Sequence, residues 1–337
     1  MRRILLRSVP LLAFVVATFV ATFVARPSVA RAGDLTDVEK AVAAAEADPN
    51  KLEAAKTAVA AAIAANLKSA PARMLEARVL VVEAKGKKTS QRAAAYALVF
   101  DALRRASAID PWDPAPFQMK ADVMTSMGTP DSAAYAEALR GVAIRKPGDA
   151  TAREAYTRHT GKVPTLAVGD PMPRVVWKDS AGKDVTAASL YEKGTVVIEL
   201  YRSAVWCPYC MKQLVALHDA VDKLAKEEMT IVACSPDTAE TIGKIEKEGV
   251  KERSPFRVRL LSDPEGKTAD KLGVLNPETV KPGTPSDAFG LPFPTTIIVD
   301  VTGTVRFVKT HGDHRDRVKP EEMLAVGKKI REALGTK

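Results

Sequence analysis

An apolar strand pattern leads directly into a Cys-x-x-Cys pair and then into a helical pattern, and this unit constrains the fold more than any other stretch. Residues 195–201 are Thr-Val-Val-Ile-Glu-Leu-Tyr, an apolar, β-branched run typical of a buried parallel strand. After Trp206-Cys207-Pro208-Tyr209-Cys210, apolar residues recur at helical spacing. The two cysteines are therefore predicted on the first turn of a helix that follows a central strand.

This placement favours thiolate chemistry at Cys207. Free backbone N–H groups and the helix dipole favour negative charge at a helix N-terminus, so a Cys207 thiolate is stabilised there. Cys210 lies about one turn further along, close enough to resolve a mixed disulfide formed at Cys207. Pro208 suits the first turn because its missing N–H costs nothing there. The predicted chemistry is thiol–disulfide exchange.

A zinc site is the alternative for this motif, because a Cys-x-x-Cys pair also forms half of many structural zinc sites. The remaining cysteine is Cys234, so four ligands would also require a histidine among His218, His311 and His314. Structural zinc sites usually combine two half-motifs, and this sequence has one. We therefore predict a redox-active cysteine pair with no metal and no other cofactor.

The first 32 residues have the pattern of a secretory signal peptide. Three arginines among the first seven residues precede an apolar run from Val9 to Ala25, and Ala30-Arg31-Ala32 matches an A-x-A cleavage site. We expect cleavage after Ala32 and export to the periplasm or the cell exterior; an uncleaved membrane anchor is the alternative. Removing the segment lowers the net charge from +9 to +4, which gives no reason to expect a nucleic-acid partner.

The cysteine count fits redox chemistry rather than a disulfide scaffold. Three cysteines in 337 residues are too few to staple an exported chain, and two of them form the motif. Cys234 ends a predicted strand beside the central one. It either approaches the dithiol or serves as a buried small hydrophobe.

Residues 33–160 are predicted to be all-helical. Alanine-rich amphipathic segments are separated by Pro, Gly and Asp breaks that leave about seven helices. Residues 101–111 and 137–147 repeat at an offset of 36, and this pattern resembles tetratricopeptide repeats. The resemblance implies a surface that binds a protein partner, and the alternative is a helical spacer that packs on itself or on the following domain.

A linker at 161–173 precedes a second domain, residues 174–337, in which strand and helix patterns alternate. This alternation predicts an α/β domain with a mixed sheet and helices on both faces. A β-hairpin is expected within 174–186. The further strands are predicted at 195–201, 229–234, 256–261, 295–300 and 305–309.

Ordered motifs recur through this second domain. They are Val168-Gly169-Asp170-Pro171-Met172-Pro173, the segment from Glu199 to Cys210, Ser235-Pro236-Asp237, Ser262-Asp263-Pro264-Glu265-Gly266, Leu291-Pro292-Phe293-Pro294-Thr295-Thr296, and Asp313-His314-Arg315-Asp316-Arg317. Over about residues 163–334 the chain thus resembles redoxins of the alkyl hydroperoxide reductase/thiol-specific antioxidant (AhpC/TSA) family, in the peroxiredoxin-like branch with a W-C-P-[YF]-C motif. The resemblance implies a thioredoxin-like fold, with Cys207 as the exposed attacking thiolate.

The resemblance also implies that Pro294 is a cis-proline that faces the dithiol and orients a substrate. An X-Pro pair that opens a strand is one place where a cis bond occurs, and an ordinary trans proline is the alternative. Trp206 is expected to form an aromatic wall beside the dithiol, with plain packing as the alternative. Arg202 either stabilises the thiolate or is a solvated loop residue.

One departure from the family bears on the reaction. Peroxidatic sites of this type place Thr or Ser three residues before the reactive cysteine and Pro seven before it, whereas this chain has Ala204 and Leu200. Without that hydroxyl, a hydrogen bond to the peroxide is lost. We therefore predict a thiol–disulfide oxidoreductase acting on protein or small thiols and disulfides. The alternatives are a thiol-dependent peroxidase, with Cys207 peroxidatic and Cys210 resolving, and a non-enzymatic scaffold that binds partners.

Overall fold

The computed structural model describes residues 34–129, 132–251 and 253–335. The predicted signal peptide and its cleavage site at Ala32 lie outside these residues. The described chain comprises an all-helical N-terminal part followed by an α/β part. None of its described helices combines the length and the apolar character needed to cross a membrane.

Seven α-helices and one short 3₁₀ helix make up the described N-terminal part. They are α1 (Thr36–Ala47), the 3₁₀ helix (Pro49–Lys51), α2 (Leu52–Ala65), α3 (Ala70–Gly86), α4 (Thr89–Ile109), α5 (Ala115–Ser126), α6 (Ala133–Arg145) and α7 (Ala150–Thr160). The helices begin and end at the predicted breaks. Ser69, Ser132 and Asp149 cap three of them, since each side chain accepts a hydrogen bond from a backbone N–H of the first turn. The all-helical prediction is confirmed.

A seven-stranded mixed sheet forms the centre of the α/β part. Its strands are β1 (Val176–Lys178), β2 (Asp184–Thr186), β3 (Thr195–Leu200), β4 (Met229–Ser235), β5 (Arg259–Ser262), β6 (Thr295–Val299) and β7 (Val305–Thr310). The order is β2-β1-β5-β4-β3-β6-β7, with β3 parallel to β4 and antiparallel to β6. The helices are α8 (Ala187–Tyr191), α9 (Pro208–Ala225), α10 (Ala239–Glu248), α11 (Lys267–Lys271) and α12 (Pro320–Leu334). This is the predicted thioredoxin-like arrangement.

One predicted strand is displaced. The expected strand 256–261 forms only at 259–262, because the backbone N–H of Arg257 donates to Nδ1 of His218 at 3.1 Å instead of to a neighbouring strand. The side chain of Phe256 stacks on the same imidazole, with ring centroids 5.4 Å apart. The apolar pattern of residues 256–261 therefore begins before the strand does, and it predicted the start of the strand too early.

The central strand β3 is buried along its whole length, and its side chains alternate between two cores. Val196, Ile198 and Leu200 belong to one core, and Val197 belongs to the other, together with both cysteines of the motif. By the same alternation Glu199 points towards the dithiol side of the sheet. The face of β3 beneath α9 thus carries an acid among apolar residues.

The helical part packs on the other face of the sheet. Ile144 of α6 belongs to the core that contains Val196, and the indole N–H of Trp112 donates to the carbonyl of Met172 at 3.1 Å. Arg140 donates to both carboxylate oxygens of the buried Asp170, at 2.6 and 3.0 Å. The helices therefore rest on the α/β part on the side away from Cys207 and Cys210. Partner binding by this region stays a prediction.

Candidate active site

The two cysteines occupy the N-terminus of α9, as predicted. Cys207 is the N-cap residue, and its Sγ accepts a hydrogen bond from the backbone N–H of Cys210 at 3.3 Å. The two residues form a disulfide, with their Cα atoms 5.3 Å apart. Pro208 is the first residue of the helix, where it needs no hydrogen-bond acceptor. The strand–loop–helix connection places this disulfide at the carboxyl end of β3.

The expected exposure of Cys207 is wrong for this oxidised form. Cys207 is 1% exposed and Cys210 0%, because both pack into the core between β3 and α9. Their neighbours reach the surface instead: Val205 is 57% exposed, Trp206 37% and Tyr209 41%. An attacking sulfur therefore reaches Cys207 only when a neighbouring side chain moves aside.

Asp237, just beyond the end of β4, holds the loop that carries Cys207. Its carboxylate accepts hydrogen bonds from the Ser203 hydroxyl at 2.8 Å and the Ala204 backbone N–H at 2.9 Å. The Ser203 oxygen in turn accepts from the N–H of Val205 at 3.0 Å. A hydroxyl has one proton to donate, and Ser203 gives it to Asp237. Ser203 therefore does not replace the hydroxyl that is missing at Ala204.

Arg202 lies on Trp206. The guanidinium carbon is 4.9 Å from the indole centroid, a cation–π contact, and partial burial lowers the pKa of Arg202. The structure thus pairs the two residues that the sequence placed beside the dithiol. Trp206 is both a packing partner of Arg202 and part of the exposed surface next to Cys207.

The expectation that Pro294 is a cis-proline is wrong. The peptide bond before Pro294 is trans, and the cis bond in the described chain is Ser254–Pro255. Pro294 immediately precedes β6, and its carbonyl accepts from the backbone N–H of His311 at 2.9 Å, which extends the β6–β7 pairing. An extended backbone of this kind accommodates the trans form, which X-Pro bonds prefer by roughly 0.5–1 kcal/mol.

Arg317 is a site residue to which sequence reasoning gave no role. Its Nη2 donates to the Sγ of Cys210 at 3.2 Å, and its Nη1 donates to the carbonyls of His314 and Asp316, each at 2.6 Å. Burial lowers the pKa of Arg317, while the charge of Glu199 opposes that shift. The residue lies in an irregular loop before α12, where no periodic pattern marks it.

Glu199 is the second residue that sequence reasoning missed. It is 1% exposed, and its Oε2 accepts from the Thr296 hydroxyl of β6 at 2.5 Å, while Oε1 has no hydrogen-bond partner in the described chain. Burial raises the pKa of Glu199 to about 7, against smaller opposing effects of the Thr296 hydrogen bond and the Arg317 charge. The signal was available in the sequence, because an acid interrupts an otherwise apolar strand pattern.

Cys234 does not approach the dithiol. It lies in the core on the opposite face of the sheet, and burial raises the pKa of its thiol well above the ordinary value. It is thus the buried small hydrophobe that the sequence allowed as an alternative. The imidazole of His314 packs edge-on against Tyr209, with centroids 5.6 Å apart. No group of three potential metal-ligating side chains occurs within the part of the chain that the structure describes.

Known proteins match part of this chain. The model of the AhpC/TSA family matches residues 168–308, which is less than half of the chain. Peroxiredoxin bcp1 of Schizosaccharomyces pombe is 28% identical over 113 residues, which cover 34% of this chain and 55% of that protein. The matched region thus spans about half the length of this curated relative.

Two solved structures are similar to about half of this chain. Peroxidoxin BcpB from Mycobacterium tuberculosis has 23% identity and a TM-score of 0.41, over 49% of this chain and 99% of that one. A peroxiredoxin-like protein from Aquifex aeolicus has 18% identity and a TM-score of 0.41, over 50% and 89%. The family match, the ordered motifs and the sheet around the disulfide agree. Residues 168–308 therefore match the AhpC/TSA family, and this match supports a redoxin domain there.

Proposed function

We propose that this chain is an exported thiol–disulfide oxidoreductase whose redox centre is the Cys207–Cys210 pair. The observation that carries the proposal is the disulfide at the N-terminus of α9, in which each sulfur accepts one N–H hydrogen bond. Both thiolates of the reduced form thus have a donor that stabilises negative charge. Export rests on the sequence pattern of residues 1–32.

The reaction follows from the positions of the two sulfurs. In the reductive direction, the Cys207 thiolate attacks one sulfur of a substrate disulfide, a Cys207–substrate bond forms, and the other substrate sulfur leaves as a thiolate. The Cys210 thiolate then attacks Sγ of Cys207, which releases the second substrate thiolate and closes the Cys207–Cys210 bond. Two electrons pass to the substrate, and the reverse sequence oxidises a substrate dithiol.

The surface beside the dithiol fits a protein substrate. Val205, Trp206 and Tyr209 present apolar side chains next to Cys207, with the Arg202 guanidinium over the Trp206 ring. Exposed aromatic side chains are typical anchors for a partner chain. Displacement of one of them by the substrate would uncover the sulfur of Cys207.

A thiol-dependent peroxidase is the second candidate, because a curated protein that matches this chain is named a peroxiredoxin. In that reaction the Cys207 thiolate attacks one peroxide oxygen, the O–O bond breaks, the other oxygen leaves as hydroxide or alkoxide, and a sulfenic acid forms at Cys207. The Cys210 thiol then condenses with the sulfenic acid, which forms the disulfide and releases water. The local geometry opposes this reaction. Ala204 has no hydroxyl for the peroxide, and the hydroxyl proton of Ser203 is already donated to Asp237.

Trapping of the mixed disulfide tests the proposal. In a Cys234→Ala background, we expect the reduced Cys210→Ser protein to form a stable adduct with a peptide disulfide at Cys207. The matched Cys207→Ser protein should form much less adduct under the same conditions. Intact-mass measurement and peptide mapping locate the adduct, and failure of Cys210→Ser to form one would refute the exchange mechanism.

Two further tests address the remaining parts of the proposal. Residues 1–32 fused to a reporter that is active only outside the cytoplasm should confer export, and a fusion without Arg2, Arg3 and Arg7 serves as the control. The non-enzymatic scaffold predicts that the double change of Cys207 and Cys210 to Ser leaves function in vivo intact. Our proposal predicts that function is lost.

A further inference from the structure

We propose that Arg317 is a catalytic residue of the exchange reaction, in which its guanidinium carries the hydrogen bond that stabilises the Cys210 thiolate. This inference rests on the proposed function for its role in the reaction. Its structural basis is separate, because Arg317 lies beyond residues 168–308 that match the family. That match assigns Arg317 no role, and the resemblance of the motif at 313–317 to the family implied none for it.

The contacts of Arg317 direct one edge of its guanidinium at the sulfur. Nη1 is held by the carbonyls of His314 and Asp316, and Nη2 donates to Sγ of Cys210 at 3.2 Å. Cys210 is fully buried, so its thiolate would otherwise have no solvent to stabilise its charge. A charge-assisted hydrogen bond in a water-poor environment is stronger than a neutral one.

Other nearby cations have different partners. The guanidinium of Arg202 lies on the Trp206 ring, and Arg315 is bound to the carboxylate of Asp313 through three hydrogen bonds. Among the residues that the structure describes, Arg317 is the cation whose side chain donates a hydrogen bond to a sulfur of the disulfide. This difference gives two arginines of the same loop, 315 and 317, distinct expected roles.

Arg317 is expected to act when a substrate thiolate attacks the Cys207–Cys210 disulfide. A substrate thiolate forms a bond to Sγ of Cys207, the Cys207–Cys210 bond breaks, and the electron pair leaves on Sγ of Cys210. Arg317 stabilises that leaving thiolate without giving up its proton. When the reaction runs in the reverse direction, the same guanidinium keeps Cys210 ionised for its attack on the mixed disulfide. In both directions the exchange with substrate occurs at Cys207.

Glu199 lies near this arrangement, on the same face of the sheet as the disulfide. Its carboxyl is anchored to Thr296, and its charge acts on Arg317. An acid at this place partly offsets the cost of burying the Arg317 charge. When Glu199 is ionised, it also limits how strongly Arg317 stabilises the thiolate, because the negative carboxylate offsets part of the positive charge.

Titration of single thiols tests the proposal without requiring turnover. In a protein with Cys207→Ser and Cys234→Ala, thiolate absorbance at 240 nm reports Cys210 alone. We expect the added change Arg317→Gln to raise the Cys210 pKa by about one unit or more, and Arg317→Lys to restore part of the shift. The added change Arg315→Gln is the matched control and should leave the pKa unchanged. Equal pKa values in the Arg317→Gln and Arg315→Gln proteins would overturn the proposal.

A second measurement needs no change at Arg317, in case that variant fails to fold. A protein with Cys207→Ser and Cys210→Ser reports Cys234, which is as buried as Cys210 but, within the described chain, accepts no guanidinium hydrogen bond of the kind that Arg317 gives Cys210. We expect Cys210 to ionise at a pH at least about one unit lower than Cys234. If Cys210 ionises at the same pH as Cys234 or higher, Arg317 does not stabilise its thiolate.

The kinetic consequence distinguishes this inference from the proposed function. Attack of a small thiol on the Cys207–Cys210 disulfide should slow by about threefold or more in Arg317→Gln, since a leaving thiol of higher pKa leaves more slowly. Arg315→Gln should match the unmodified protein. If Arg317→Gln shifts the Cys210 pKa but the unmodified protein exchanges with no disulfide, the proposed function is refuted and the role of Arg317 in stabilising the thiolate stands. Normal exchange with an unshifted pKa would refute Arg317 alone.

Discussion

The buried acid Glu199 makes a specific prediction about stability and pH. Its pKa is about 7 in the folded chain and 4.5 for the unperturbed side chain. Between these values the folded state holds the Glu199 proton more tightly than the unfolded state, so stability falls as pH rises. This contribution is fully present below pH 4.5 and is lost as pH rises through about 7. Replacement by glutamine keeps a neutral side chain at every pH and removes the effect.

The magnitude follows from the difference between the two pKa values. Each pKa unit corresponds to about 1.4 kcal/mol, so the full effect of Glu199 is about 3 kcal/mol. Between pH 5 and pH 8 the same two pKa values give a loss of about 2.5 kcal/mol. We therefore expect Glu199→Gln to gain about 2.5 kcal/mol relative to the unmodified protein when both are moved from pH 5 to pH 8.

Urea unfolding at pH 5 and pH 8, without reductant, measures this difference. Trp112, Trp177 and Trp206 are the three tryptophans of the chain, and all lie in or against the α/β part, so their fluorescence reports its unfolding. Other titrating groups cancel because both proteins share them. The exposed Glu248→Gln is the control and should show no such gain. A Glu199→Gln protein with the same pH dependence as the unmodified protein would refute the argument.

Two further predictions concern packing. Arg140→Ala should lower the free energy of unfolding by about 3 kcal/mol, because the buried Asp170 carboxylate loses its ion-pair partner. The control Arg104→Ala removes an exposed ion pair and should lower it by less than about 1 kcal/mol. Equal urea midpoints for the two variants would contradict this prediction. Gly290→Ala should destabilise the protein far more than Gly283→Ala. Both glycines have positive φ, but a Cβ at Gly290 would lie 2.3 Å from a backbone atom, whereas a Cβ at Gly283 would meet nothing within 4 Å. Thermal unfolding compares the two, and similar losses would count against the steric explanation.

The sequence predicted the elements that local patterns determine. The apolar run at 195–201 and the helical spacing after Cys210 led to β3 and α9, and the Pro and Gly breaks located the N-terminal helices. These features depend on residues close together in the chain, so periodicity and turn chemistry are sufficient. The motifs that resemble the redoxin family then implied the thioredoxin-like fold, whereas the order of the strands came from the structure.

The details of the site depend on contacts between distant residues, and sequence reasoning missed them. Glu199 meets Thr296, and Arg317 meets Cys210, across 97 and 107 residues of chain. The trans bond before Pro294 and the burial of Cys207 likewise follow from how loops pack on the sheet. An acid within a buried strand pattern was the one available signal, and it indicates a charged partner without identifying it.

Oxidation of the pre-reduced protein tests the central claim most directly. Hydrogen peroxide and a small disulfide are each mixed with the reduced protein, and loss of thiols is followed over time, with Cys207→Ser as the control. Disulfide exchange predicts that peroxide consumes thiols at the rate of an ordinary free thiol, while the disulfide reacts faster and only when Cys207 is present. A peroxide rate far above that of a free thiol, lost in Cys207→Ser, would contradict this account and identify a peroxidase.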